Sequence, residues 1–154
     1  MSEQGLTLSG ISAVAIGGRA LAIEGPPGSG KSTLALALID RGAQLIGDDG
    51  IALRRGGDRI VVAPPPNIAG LIEIRGVAIA KLPLADPAPL ALLLTLGAEG
   101  ERLPETTPTR EILGCTIPSL PFEPGAIAPA VRAEWALALH GLEFASLPAA
   151  NPRK

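Results

Sequence analysis

The residues of this chain that are best suited to chemistry lie in the segment GPPGSGKS, residues 25–32. Its three glycines permit backbone angles that bring successive N–H groups to one concave side, where they can hold phosphate oxygens. Lys31 adds a positive charge suited to the β- and γ-phosphates of a nucleotide, and the Ser32 hydroxyl is suited to hold Mg²⁺. The segment predicts a phosphate-binding loop, called the glycine-rich loop below.

The sequence on either side of the glycine-rich loop predicts the strand and the helix that such a loop requires. Residues 19–23 form a short apolar run typical of a buried strand. After the loop, strong helix formers predict a helix that ends at residues 40–42, and its positive end would point at bound phosphate. Its buried face is expected to carry Leu34, Ala35, Leu38 and Ile39. The predicted nucleotide-binding set is Gly25, Pro26, Pro27, Gly28, Ser29, Gly30, Lys31, Ser32 and Thr33.

A second group of polar residues, Asp48 and Asp49, follows this helix. We expect residues 44–47 to form a second central strand that ends in the acidic pair. Carboxylates at the carboxyl edge of such a sheet would lie beside Mg²⁺ and the γ-phosphate. The alternative is a solvated turn before Gly50, but the position after a phosphate-binding loop favours a functional site.

Most of the remaining chain predicts strands. Residues 6–16 supply one or two strands, and the turn at Gly17 and Gly18 makes them part of an edge hairpin. Residues 51–55 and 59–62 predict a second hairpin. On a strand, Glu73 and Arg75 would share one face, where an ion pair is the simplest interpretation.

The C-terminal third combines strands, loops and a helix. Residues 90–96 and 111–116 predict strands, residues 97–110 a mobile loop, and residues 117–125 a rigid surface loop. A closing helix over residues 126–142 would place Ile127, Val131, Trp135 and Leu139 on one apolar stripe, with His140 solvated outside it.

Composition restricts the classes of function. The length of 154 residues suits one domain, and 47% hydrophobic residues can build its core. With 2% aromatic residues, no tyrosine and a net charge of −2, the chain suits neither a nucleic-acid binder nor an anionic-membrane binder. The single cysteine, Cys115, is expected in the core, and an acidic N-terminus with no membrane-length apolar run predicts a cytoplasmic protein.

An ordered set of motifs resembles the catalytic domain of the bacterial HPr kinase/phosphorylase family. The motifs are GPPGSGKS, DRGAQLIGDDG, GLIEIRGVAIA, GERL and PFEPG, and the resemblance runs from about residue 13 to residue 142. It lacks that family's separate N-terminal domain. The resemblance implies an α/β fold: a P-loop-containing kinase domain with a central mixed β-sheet, a helix after the phosphate loop and a C-terminal helix.

The resemblance also implies roles for individual residues. Lys31 and Ser32 match the residues that hold ATP and Mg²⁺, and Glu73 matches a metal-binding glutamate. Asp49, with Asp48 beside it, matches the base that removes the proton of the acceptor serine. Arg102 in GERL matches the active-site arginine.

Three positions depart from the family pattern. The family's active-site histidine falls on Gly10. Its PVRPGR loop, which is linked to dephosphorylation, is PFEPGA at residues 121–126, so both arginines are lost. Thr33 replaces the glutamate that usually follows the loop serine.

The function implied is an ATP- and Mg²⁺-dependent serine kinase for an HPr-like phosphocarrier, with phosphorylase activity weak or absent. The chain is also expected to form a homo-oligomer. A small-molecule kinase and a nucleotide-sensing regulatory module are the alternatives, because one scaffold can host all three functions.

Overall fold

The computed structural model describes residues 5–66, 70–100 and 103–144. Two helices and eleven strands lie within these ranges. In chain order they are β1 (Gly5–Ser9), β2 (Ile11–Ile16), β3 (Arg19–Glu24), α1 (Lys31–Asp40), β4 (Gln44–Gly47), β5 (Gly50–Gly56), β6 (Arg59–Ala63), β7 (Leu71–Ile74), β8 (Ala78–Lys81), β9 (Ala88–Thr95), β10 (Thr109–Ile112), β11 (Cys115–Pro121) and α2 (Pro129–His140). In the described part of the chain, neither helix is long and apolar enough to cross a bilayer.

The strands form a large mixed sheet and a separate hairpin. The main sheet has the order β1-β5-β6-β9-β3-β2-β4, with β11 added beside β9 and β10 beside β11. Strands β3, β9 and β11 are parallel neighbours, whereas the other pairs are antiparallel. Strands β7 and β8 pair only with each other. The expected mixed α/β class is thereby confirmed.

Both faces of the central strands are buried. On β3, Leu21 and Ile23 pack with both helices, whereas Ala20 and Ala22 face a second apolar cluster. Hairpin β5–β6 contributes Ile51, Leu53, Ile60 and Val62 to that second cluster. Because β3 is covered on both faces, its sequence is an apolar run and not an alternation.

The elements around the glycine-rich loop agree with the sequence predictions. Strand β3 precedes it and α1 follows it. Leu34, Ala35 and Leu38 are buried on α1, and Gly42, just after the end of the helix, has a positive φ of 112°. The predicted hairpin appears as β5 and β6, Cys115 is buried, and residues 90–96 lie largely in the buried strand β9.

The predicted places of β2 and β4 in the sheet are wrong. Hairpin β2–β3 forms as expected, but β2 lies between β3 and β4, so it is not an edge strand. Strand β4, predicted to be central, is instead an outermost strand of the sheet. Because β4 is antiparallel to β2, and β2 is antiparallel to β3, β4 runs in the same direction as β3. The acidic pair after β4 therefore lies beside the carboxyl end of β3, as the sequence predicted.

The expected surface loop at residues 117–125 is also wrong in its first half. Residues 115–121 form β11, in which Ile117 and Leu120 are buried. The predicted strand over residues 111–116 is interrupted by a turn at Leu113 and Gly114, which have φ of 49° and 81°. The prolines in this segment led to the prediction of a loop. Strand β11 pairs with β9 only from Ser119 to Pro121, so Pro118, which has no N–H, lies outside this pairing and loses no hydrogen bond to β9.

The predicted apolar stripe of the closing helix faces outward. Helix α2 buries Ala130, Ala133, Glu134, Ala136 and Leu137. By contrast, Trp135 is 39% exposed and Leu139 is 72% exposed, and Ile127, which is 80% exposed, lies before the start of the helix. His140 is not simply solvated, because its Nδ1 lies 2.7 Å from the Thr107 hydroxyl. The buried face of α2 consists largely of alanines, which let the helix pack close to the core. The prediction followed the spacing of the large apolar side chains and therefore assigned the wrong face as buried.

Candidate functional site

The candidate site lies where three neighbouring strands meet one edge of the main sheet. Strands β3 and β4 both end there, and β2, which runs in the opposite direction, begins there. The glycine-rich loop continues from β3, Asp48 and Asp49 follow β4, and Gly10 and Ser12 lie at the start of β2. The fold thus brings three separate stretches of sequence to one place.

The glycine-rich loop depends on glycine for two different reasons. At Gly25 the loop packs tightly, since an added Cβ would lie 2.7 Å from Ser29 Oγ and 3.0 Å from Leu96 Cβ. Gly30, the residue before α1, has φ 100°, a left-handed conformation that side chains disfavour. Ser29 Oγ is buried and has no hydrogen-bond partner in the described part of the chain. A polar group of a ligand could supply that partner.

Lys31 is the first residue of α1 and folds back over the loop. Its Nζ donates hydrogen bonds to the carbonyl oxygens of Gly25 at 2.7 Å and Pro26 at 3.2 Å. These bonds hold the ammonium group at the first two residues of the loop, and Lys31 also lines the cavity described below. Thr33, on the first turn of α1, is exposed.

Asp48 is the centre of the hydrogen-bond network in this site. Its Oδ1 accepts from the hydroxyls of Ser32, at 2.6 Å, and Ser12, at 2.8 Å. Its Oδ2 accepts from the backbone N–H of Glu73 at 3.2 Å. One carboxylate therefore joins the glycine-rich loop, β2 and β7.

Asp49 differs from Asp48 in both backbone and side chain. It has φ 60°, which is uncommon for a residue with a side chain. Asp49 is exposed, and its carboxylate has no hydrogen-bond partner among the described residues. Its backbone is fixed instead: the N–H donates to Ser12 Oγ at 3.3 Å, and the carbonyl accepts from Gly10 at 3.1 Å. Asp49 thus combines a fixed backbone with an exposed side chain.

The candidate site is an open cavity of about 250 Å³. It is lined by Pro27, Gly28, Gly30, Lys31, Ser32, Thr33, Asp48, Asp49, Glu73 and Arg75. Glu73 lies on β7, whereas Arg75 lies just after that strand. The two side chains form no ion pair in the described part of the chain, so the simpler interpretation of this pair finds no support.

Arg102 lies outside the described residues, but the segment leading to it is placed. An added Cβ at Gly97 would lie 3.1 Å from Pro26 Cδ, and one at Gly100 would lie 3.0 Å from Pro121 Cβ. Residues 97–100 therefore run from the glycine-rich loop to the loop at residues 121–126.

Sequence reasoning missed an ion pair at the base of the glycine-rich loop. The two terminal nitrogens of the Arg110 guanidinium, Nη1 and Nη2, contact the carboxylate of Glu24, the residue before Gly25, at 2.6 and 2.5 Å. These hydrogen bonds raise the pKa of Arg110 above its usual value. Thr95 also donates to Glu24 at 3.0 Å. No local pattern could reveal this pair, because its members are 86 positions apart.

The loop at residues 121–126 is held by an arginine from α2. Arg132 donates to the carbonyl oxygens of Glu123 and Ile127, both at 2.9 Å, and also to that of Pro124. Its guanidinium stacks 4.9 Å from the centre of the Phe122 ring. A cation thus lies close to this loop, but its hydrogen bonds are used by the protein backbone.

The oxygen-rich donor set suits Mg²⁺ better than a soft metal. Among the described residues, no group of three or more His, Cys, Asp or Glu side chains is arranged to hold a metal ion by itself. Mg²⁺ commonly uses one or two protein oxygens, with waters and substrate phosphates as its other ligands. The hydroxyl of Ser32 and the carboxylate of Glu73 line the same cavity and could supply such oxygens, and Asp48 orients the Ser32 hydroxyl through a 2.6 Å hydrogen bond.

Comparison with known proteins identifies one family. The family model described as "HPr Serine kinase C-terminal domain" matches residues 7–83, half of the chain. An HPr kinase/phosphorylase of Chlorobium phaeobacteroides (strain BS1) is 30% identical over 129 residues, which cover 74% of this chain and 38% of that protein. The protein of the same name from Exiguobacterium sp. (strain ATCC BAA-1283 / AT1b) is 43% identical over 67 residues, covering 43% of this chain and 22% of that protein. The chain thus spans less than two fifths of the length of these curated relatives.

A solved structure shows the same relationship. The Hpr(Ser) kinase/phosphatase from Coxiella burnetii matches with a TM-score of 0.70 and 27% sequence identity. The match covers 83% of this chain and 86% of that chain. The fold described above is therefore that of a solved kinase/phosphatase.

Proposed function

Because this chain belongs to the HPr serine kinase C-terminal domain family, we propose that it is an ATP- and Mg²⁺-dependent kinase that phosphorylates a serine of an HPr-like phosphocarrier. The observation that carries the proposal is the hydrogen bond from Ser32 to Asp48, which connects the end of the glycine-rich loop to the acidic turn. The contact supports the proposal because the residues proposed to bind phosphate and those proposed to accept a proton line one cavity.

Binding of ATP is assigned to the glycine-rich loop. Its backbone N–H groups and the N-terminus of α1 would surround the phosphates, since both carry partial positive charge. Lys31 would exchange its bonds to two carbonyl oxygens for bonds to phosphate oxygens, which are stronger because both partners are charged. The proposed set is residues 25–33.

Ser32, with Glu73, is proposed to hold Mg²⁺, which would neutralise phosphate charge when bound. Asp48 accepts a hydrogen bond from the Ser32 hydroxyl, so the lone pairs of the hydroxyl oxygen remain available to the cation. The backbone N–H of Glu73 donates to the same carboxylate and keeps β7 beside the loop.

Asp49 is proposed as the general base, with Asp48 beside it. In the proposed step, Asp49 accepts the proton of the acceptor serine, whose oxygen forms a bond to the γ-phosphorus as the bond to ADP breaks. The exposed carboxylate of Asp49 suits contact with a protein substrate. Lys31 and Arg102 would stabilise the charge of the transferring phosphoryl group.

Removal of the phosphoryl group by phosphorolysis, in which inorganic phosphate takes it from phosphoserine to form pyrophosphate, is proposed to be weak or absent. It must bring inorganic phosphate to a second anion, and several kcal/mol of repulsion then need to be offset by cations. The loop at residues 121–126 contains Glu123 and no arginine, and Arg132 nearby already binds backbone oxygens.

We further propose that the chain folds as a single domain, acts in the cytoplasm and forms a homo-oligomer. The exposed apolar side chains of Val77 and Ile79 could contribute to the contact between copies.

Transfer of label tests this function. The purified chain is incubated with γ-labelled ATP, Mg²⁺ and an HPr-like phosphocarrier, and labelled residues are identified by mass spectrometry. Label on a serine, lost when EDTA is added, is the expected result. Label on a small molecule of a cell extract would support a small-molecule kinase instead. Binding of ATP without any transfer would support a nucleotide-sensing module.

A further inference from the structure

Ser12 is a fully buried polar residue in an otherwise apolar strand. Its exposed fraction is 0%, as are those of Ala13 and Val14, which follow it on β2. Burying a hydroxyl lowers the stability of the fold unless it is hydrogen-bonded. The hydrogen-bond partners of Ser12 therefore indicate its role.

The hydroxyl of Ser12 contacts both members of the acidic pair. It donates to Asp48 Oδ1 at 2.8 Å and accepts from the backbone N–H of Asp49 at 3.3 Å. Regular pairing between β2 and β4 ends with Ala13 opposite Gly47. The side chain of Ser12 therefore continues the connection between these strands beyond their last backbone pair.

Other contacts leave the acidic turn little freedom. Gly10, two residues before Ser12, donates its backbone N–H to the carbonyl oxygen of Asp49. An added Cβ at Gly47 would lie 2.1 Å from the carbonyl oxygen of Gly50, so the turn is also tight on its other side. Within this arrangement, Ser12 is the group that fixes the carboxylate of Asp48 and the backbone of Asp49 together.

We propose that Ser12 is a positioning residue for phosphoryl transfer, acting through Asp48 and Asp49. This inference rests on the proposed function. Without the Ser12 hydroxyl, Asp48 would lose one of two donors on Oδ1, and its hold on the Ser32 hydroxyl would loosen. Removing such an outer partner of a cation site commonly costs about 10- to 100-fold in metal affinity or activity.

The test compares Ser12→Ala with Ser119→Ala. Ser119 is also a buried strand serine, but its hydroxyl lies 3.3 Å from Thr95 Oγ1 and makes no contact with Asp48. For each variant, ATP affinity is measured with Mg²⁺ and with EDTA, and kcat and KM are measured for transfer. Ser12→Ala should lose about tenfold or more of the affinity gained from Mg²⁺ and of kcat. The ATP affinity of Ser12→Ala in EDTA should match that of the wild type. The Mg²⁺ effect on affinity and the kcat of Ser119→Ala should also match the wild type.

Two results would overturn the inference: an unchanged Mg²⁺ effect in Ser12→Ala, or an equal loss in Ser119→Ala. If Ser12→Ala does not fold, Ser12→Cys is used, because it retains the side-chain shape but supplies only a weak donor. Ser12→Cys should lose part of the Mg²⁺ effect on ATP affinity and part of kcat, but less than Ser12→Ala. A wild-type chain that binds ATP but transfers no phosphate would contradict the proposed function, whereas the Mg²⁺-dependent affinity would still decide the role of Ser12.

Discussion

Ser32 and Asp48 are sixteen residues apart in the sequence, and the hydroxyl of Ser32 donates a 2.6 Å hydrogen bond to Asp48 Oδ1. This contact fixes the direction of the Ser32 proton, so its lone pairs point away from Asp48. Since the first residue is on α1 and the second follows β4, the bond also links the start of the helix to the sheet edge.

Lys31→Ala should remove most of the stabilisation that ATP and Mg²⁺ confer. At a ligand concentration about a hundredfold above Kd, binding adds about 2.7 kcal/mol to the free energy of unfolding, which a thermal melt detects readily. Lys81→Ala is the matched control, because Lys81 is exposed on β8 and does not line the cavity. An undiminished shift in Lys31→Ala would contradict the assignment of the glycine-rich loop.

Asp49→Asn should leave ATP affinity largely unchanged while it lowers the transfer rate by about 10²- to 10⁴-fold, the usual contribution of a general base. Calorimetry and single-turnover kinetics measure the two quantities separately. Asp58→Asn, in the exposed turn between β5 and β6, should leave both unchanged. A transfer rate in Asp49→Asn equal to that of the wild type would return Asp49 to a structural role in the turn.

Glu73→Gln should weaken the dependence of ATP binding on Mg²⁺ without loss of fold. The substitution removes a charge but retains the backbone N–H that donates to Asp48. Titration of Mg²⁺ at fixed ATP gives the midpoint, which should rise about tenfold or more if the carboxylate helps to hold the cation. The exposed Glu105→Gln is the control, and identical midpoints in the two variants would exclude Glu73 from the cation site.

Phosphorolysis should be much slower than forward transfer. Purified phosphorylated acceptor is mixed with the chain, millimolar phosphate and no ADP, and pyrophosphate release is followed. Glu123→Arg combined with Ala126→Arg should accelerate release, because these changes restore cations to the loop at residues 121–126. Release by the wild type as fast as forward transfer would show that other groups supply the cations, and the alignment of Gly10 and Glu123 would then be wrong.

Leu137→Ala should destabilise the fold far more than Leu139→Ala. The two leucines lie two positions apart on α2, but Leu137 is fully buried and Leu139 is 72% exposed. Truncation of a buried leucine costs about 2 to 5 kcal/mol, whereas an exposed substitution stays within about 0.5 kcal/mol. Urea denaturation of both variants measures the difference. Equal losses would contradict the burial of this helix face.

The local elements of the site could be predicted from the sequence. The strand, glycine-rich loop and helix over residues 19–40 are encoded by neighbouring residues, through apolar runs, glycine spacing and helix propensity. The acidic pair could be selected as a candidate for the same reason, since it directly follows a short strand. Each of these signals operates over a few positions, so no knowledge of the rest of the fold was needed.

The neighbours of these elements were decided only by the tertiary structure. Pairing of β4 with β2, and not with β3, depends on contacts between distant segments, which periodicity does not encode. The same applies to β11, whose prolines resemble a loop until their place beside β9 is known, and to α2, whose buried face consists of small residues.

Ser12 gives the clearest case, because a lone serine in the run ISAVAI has no sequence signal. Its importance arises when β2 begins at the edge where β3 and β4 end, which brings its hydroxyl within 2.8 Å of Asp48. The sequence by itself indicated the candidate residues for binding phosphate and for accepting a proton. The three-dimensional order of the strands determined which groups hold them in place, because hydrogen bonds between distant segments form only after the sheet has assembled.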